Sequence, residues 1–126
     1  MKNLRSIMAI AMTMVFVFCM KPAMAQDPLE VAPDMYKKHF ENDRVRVAEV
    51  TFQPGQEIAV HSHPDHVAYL LSGGKLSVTT NGKAEDIEVK TGDVVWFDAV
   101  THEATNVGTT EVRILVIELK EPKAVK

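Results

Sequence analysis

Cysteine is all but missing from this chain. Cys19 is the single one in 126 residues, and it falls in the N-terminal leader. From Gln26 onward there is no thiol at all, which excludes disulfides, thiolate metal sites and thiol catalysis in that part of the chain. Long apolar runs are also missing beyond the leader. No segment keeps an apolar period of 3.6 over ten or more residues, so no long buried helix is expected. Internal repeats and low-complexity tracts are absent too, which excludes solenoid and fibrous designs. Positive charge is scarce: the net charge is −3, and it becomes −6 once Lys2, Arg5 and Lys21 leave with residues 1–25. Such an acidic surface argues against nucleic acid or an anionic membrane as a partner.

The leader itself is informative. Met1 to Arg5 is a short basic start, Ile7 to Met20 is an apolar run of 14 residues, and Ala23-Met24-Ala25 is a small-x-small cleavage site. The run is shorter than the ~20 residues that span a bilayer. The three-part pattern is that of a secretory signal peptide cut before Gln26, so the protein is expected in a periplasm or outside the cell, with no membrane attachment after cleavage. The layout read from the sequence is a signal peptide over 1–25, an arm over 26–39, one domain over 40–120 and a tail over 121–126.

From Phe40 onward, turn signals recur at short intervals: Pro54-Gly55, Ser72-Gly73-Gly74, Asn81-Gly82, Thr91-Gly92-Asp93 and Asn106 with Gly108. Between them lie short runs rich in Val, Ile, Thr and Phe, which read as an all-β sandwich or barrel. Eight strands are expected: 45–52, 57–61, 67–71, 75–80, 84–89, 94–97, 103–107 and 112–119. Asn81-Gly82 is the strongest hairpin signal, because a type I′ turn needs positive φ at both central positions.

All five histidines lie beyond the leader, at positions 39, 61, 63, 66 and 102. Along a strand, positions i and i+2 share a face, so His61 and His63 converge. Two imidazoles side by side on an interior face are poorly satisfied as plain core residues. A divalent metal resolves this, since neutral imidazole is the commonest metal ligand.

Two longer patterns resemble the cupin family. Gly55, five residues, then His61-Ser62-His63 and a hydrophobic strand ending at Gly73 resembles the first cupin motif. Gly92, five residues, then Asp98, followed by His102, three residues and Asn106, resembles the second. The resemblance implies a small jelly-roll barrel with a metal held by His61, His63 and His102. Cupins usually supply a Glu as fourth ligand, seven residues before the glycine closing motif one; that position here is His66. The implied site is therefore His61, His63, His66 and His102, with a pocket-rim role for His66 as the alternative. The second motif also departs from the family, with Asp98 in place of Pro, Val100 in place of Gly, and one residue fewer before His102.

Four nitrogen donors suit Zn, Ni, Cu or Fe, and the loss of a carboxylate disfavours Mn. The family resemblance implies dioxygenase chemistry most often, with isomerase, lyase and decarboxylase activities also known, on a small organic molecule. The alternative is a metal-dependent small-ligand binder or metal-sequestering module without turnover. A homodimer through edge-strand pairing is expected. Trp96 and Phe97 read as barrel core, Tyr69 as a packed side chain with a surface hydroxyl, and His39 as a histidine outside the site. Asp65 and Glu103 read as turn carboxylates, and Glu85, Asp86 and Glu88 as a solvated hairpin face.

Overall fold

A computed structural model describes residues 26–121. The proposed signal peptide lies outside the described residues. One short helix, α1 (Pro28–Val31), is followed by nine strands: β1 (Tyr36–Glu41), β2 (Val45–Phe52), β3 (Glu57–His63), β4 (His66–Ser72), β5 (Gly74–Thr80), β6 (Lys83–Val89), β7 (Val94–Phe97), β8 (Val100–Asn106) and β9 (Val112–Leu119). They form a five-stranded sheet, β1-β2-β9-β4-β7, and a four-stranded sheet, β3-β8-β5-β6, with antiparallel pairing throughout. The two sheets face each other in the expected all-β jelly roll, with a core drawn from both. Val50, Phe52, Leu70, Val112 and Val116 come from the first sheet, and Ile58, Leu76 and Ala104 from the second.

Alternation along the strands explains which side chains reach that core. On β2 the even positions turn inward, with Ala48, Val50 and Phe52 buried; on β9, Val112, Val116 and Glu118 do the same. Burying such a strand face removes roughly 1.5–3 kcal/mol of apolar exposure per large side chain. At the β5–β6 turn, Asn81 and Gly82 take φ of 52° and 75°, the positive pair that a type I′ hairpin demands. Gly73 is fixed by space: a Cβ there would lie 2.3 Å from the Val89 carbonyl oxygen, so any larger residue forces the β4–β5 and β6–β7 connections apart.

Residues 26–39, read from the sequence as an arm, carry α1 and most of β1. Asp27 caps α1 by accepting from the Leu29 N–H at 2.9 Å, and Pro28, at the first helical position, is fully buried. The Gln26 carbonyl accepts from the Ser62 N–H at 2.8 Å, so this segment is bonded to β3. Alternation also separates Trp96 from Phe97. Trp96 lies on the outer face, 52% exposed, while Phe97 turns inward.

Candidate metal centre

A bulge in β3 builds the histidine face. Ile58 pairs with Ala104 and His61 with His102, so three steps on β3 match two on β8. The extra residue leaves Ala59 and Val60 both exposed and allows Ile58, His61 and His63 all to point inward. The bulge also supplies a support, because the Ala59 carbonyl accepts from His61 Nδ1 at 2.8 Å. His61 and His102 are direct cross-strand partners, with ring centroids 4.7 Å apart, and His61 lies 4.9 Å from His63. One ligand atom from each of His61, His63 and His102 lies within 4.8 Å of the other two.

The opposite sheet presents a single rung. Across it, Arg46 pairs with Glu118, Glu118 with His66, and His66 with Phe97. His66 is buried, its ring centroid is 4.7 Å from that of His63, and Phe97 stacks on it at 5.1 Å with 15° between planes. Its Nδ1 donates to the Pro64 carbonyl at 2.8 Å. His66 thus adjoins the trio from the other sheet without belonging to the mutually close group of ligand atoms.

The sequence reading missed Glu118. One of its carboxylate oxygens accepts from His63 Nδ1 at 2.7 Å and the other from Arg46 Nε at 2.6 Å. Arg46 also donates to both oxygens of Asp27, at 2.6 and 3.1 Å. The result is a chain of groups, Asp27–Arg46–Glu118–His63, running from the N-terminal segment to the histidines. Its signal was present in the sequence: Glu118 continues the inward series Val112, Ile114, Val116, and Arg46 precedes Ala48 and Val50 on the inward face of β2. Charges at core positions need partners.

Electrostatics follow from this packing. Burial would raise Glu118, but its hydrogen bonds from His63 and Arg46 outweigh that and hold it below the usual carboxylate range. Burial lowers His61 and His66, and it pulls His102 down to about 3 with help from His61 and His63. A carbonyl or carboxylate accepts from Nδ1 of His61, His63 and His66, so that nitrogen carries a proton and Nε2 is the atom left for a metal. Neutral rings with anchored Nδ1–H and bare Nε2 are what a transition metal needs, so the donor set fits one. Asn106, the last residue of the second motif, is structural: its amide donates to the carbonyls of Phe52 and Thr110 at 3.1 and 2.8 Å.

The histidines stand in a cavity of about 470 Å³ between the sheets. Phe97 is among its walls, while Tyr69 is exposed and His39 bonds Glu49 at 3.1 Å away from the site. Asp65 accepts from the Ala99 N–H at 2.7 Å, which ties the β3–β4 turn to β8's approach.

Residues 48–118 match the Cupin domain family. The chain is a cupin. Among solved structures it is similar to a cupin domain from Bordetella pertussis, at 28% identity and a TM-score of 0.65 over 68% of this chain and 92% of that one. It is also similar to a predicted oxalate decarboxylase from Thermotoga maritima, at 27% identity and 0.51 over 67% and 78%. A third, a double-stranded β-helix protein from Klebsiella pneumoniae, gives 25% identity and 0.55 over 71% and 77%. No curated protein matches the chain.

Proposed function

We propose that this cupin is an exported mononuclear metal enzyme of the dioxygenase type, acting on a small organic molecule. The observation that carries the reading is the convergence of three imidazoles, each offering a ligand atom, beside a cavity large enough for a small ligand. We take His66 as the fourth ligand to Zn, Fe, Ni or Cu. Its anchored Nδ1 and its place beside His63 favour that role. A bound redox-active metal would supply an open position where substrate and O₂ meet. The chain's own part is to keep His61, His66 and His102 neutral, to hold His63 through Glu118, and to exclude water from the histidines with Phe97 and the apolar walls. A homodimer is part of the proposal, with one adjustment. Val94, Trp96 and Tyr69 expose apolar surface on the outer face of the five-stranded sheet, which favours face-to-face packing over edge pairing.

The test is oxygen consumption by metal-loaded protein across a panel of small organic molecules, with His61→Ala as control. Uptake that disappears in the variant supports the enzyme. One observation favours a binder without turnover: both Glu118 oxygens are engaged, so the buried carboxylate beside the histidines is not free to take a substrate proton. Stoichiometric ligand retention without consumption would select that reading.

A further inference from the structure

The walls of the cavity say which molecules belong in it. Beyond the histidines they are mostly hydrocarbon, with Val50, Phe52, Leu70, Leu76, Ile114 and Val116 among them, and the uncharged polar groups are the Tyr36 and Thr80 hydroxyls. Among the described residues no lysine or arginine lines it. The part-buried guanidinium of the neighbouring rung, Arg46, is already bonded to Asp27 and Glu118. The remaining charged lining groups are acidic: Glu85 and Glu88 on β6, both exposed, and Asp93 just before β7. A ligand anion would pass three carboxylates and then lose its water against hydrocarbon, with no fixed cation to replace it. A metal held by the histidines could answer one donor group at that end, and no cation on the described lining answers a second charge.

Building on the proposed metal centre, we propose that the substrate is a compact, uncharged molecule with a mainly apolar body and one metal-binding donor, and that carboxylate-bearing molecules are refused. The apolar body lies against Phe52, Leu70 and Leu76, and the donor points at His61, His63 and His102.

Two measurements test this separately from the metal reading. In metal-free protein, benzyl alcohol and benzoate are compared by thermal shift. The alcohol is expected to raise Tm progressively with its concentration and benzoate to leave it unchanged. In cobalt-loaded protein, spectral titration compares imidazole, 4-phenylimidazole and 4-(imidazolyl)benzoate. The phenyl compound is expected to bind at least tenfold tighter than imidazole and at least tenfold tighter than the benzoate. Replacing the exposed rim acids in Glu85→Lys/Glu88→Lys is expected to narrow the gap to the benzoate severalfold. Equal or tighter binding of either carboxylate would overturn the substrate class, even with cobalt bound stoichiometrically. Failure to bind cobalt, with benzyl alcohol still stabilising and benzoate not, would remove the metal centre and leave the cavity's selectivity standing.

Discussion

The two sheets of this barrel contribute different things to one site. The four-stranded sheet presents the three mutually close imidazoles, His61, His63 and His102, on adjacent strands. The five-stranded sheet presents one rung of charge and aromatic surface: Arg46, Glu118, His66 and Phe97. The four-stranded sheet supplies the trio of imidazoles and fixes His61 through its own Ala59 carbonyl, while the five-stranded sheet fixes His63 through Glu118. The first is written in family motifs, and of the second only His66 is. Arg46 and Glu118 are charges at positions where the strand pattern asks for hydrocarbon.

This division can be broken from the five-stranded side. The largest effect is expected for Glu118→Ala. It leaves Arg46 half-paired inside the barrel, and breaking a buried pair costs about 3–5 kcal/mol. Urea denaturation of the metal-free protein checks it, and a loss below 1 kcal/mol would make the rung ornamental. Glu118→Gln keeps the shape but removes the charge behind His63. Metal affinity is then expected to fall roughly 10–100-fold, as for other hydrogen-bond partners of a ligand. Competition with a chelator measures this, and unchanged affinity would detach Glu118 from the centre.

His66→Ala sharpens the same comparison, since among the described residues His66 is the imidazole that the five-stranded sheet brings to the site. As a ligand, its loss changes the cobalt absorption spectrum as well as the affinity. A spectrum identical to wild type would return His66 to the pocket wall.

Acid provides a milder perturbation. Burial holds His61, His66 and His102 below the ordinary 6.5, with His102 near 3. Unfolded, these rings take up protons below about pH 6.5; folded and metal-free, they stay neutral to lower pH. The unfolded state therefore binds more protons, and stability falls as pH drops from about 6.5 toward 3. Glu118 and Asp27, both held low in the fold, add to the loss below their ordinary values of 4.5 and 3.8. Urea midpoints at pH 7 and pH 5 test the direction, and a flat profile would contradict it.

The smallest effect is expected at the far end of the chain of charges. Asp27→Ala removes the cap of a one-turn helix, worth about 1 kcal/mol. Its ion pair with Arg46 is a third exposed and adds little to that. Thermal denaturation, with chelator competition alongside, places it against Glu118→Gln. A metal-affinity loss as large as that of the glutamine variant would show that the N-terminal segment positions the ligands as strongly as Glu118 does.

How much of this is legible in the sequence varies by element. β2, β7 and β9 occupy the expected spans, because alternation and flanking turns mark them clearly. β1 carries no such mark: Tyr36–Glu41 reads YKKHFE, mostly exposed, and it is a strand because β2 offers it a ladder of hydrogen bonds. His61 and His63 were readable from spacing alone, whereas the bulge that keeps Ile58 on the same side was not. Phe97 and Trp96 look alike as neighbours in sequence, and only the pairing of Phe97 with His66 shows which one turns inward. Glu118 is readable as a charge at the last inward position of a strand whose other inward residues are Val and Ile, but its partners His63 and Arg46 are not, because they come from other strands.

The central claim is that the histidines of the four-stranded sheet hold a metal. Its most direct test is metal content by mass spectrometry on untagged, natively expressed protein, beside His61→Ala/His102→Ala. The account predicts close to one equivalent of a transition metal in the wild type and none in the double variant. A wild-type protein that stays metal-free after reconstitution, or a variant that retains the metal, would contradict it.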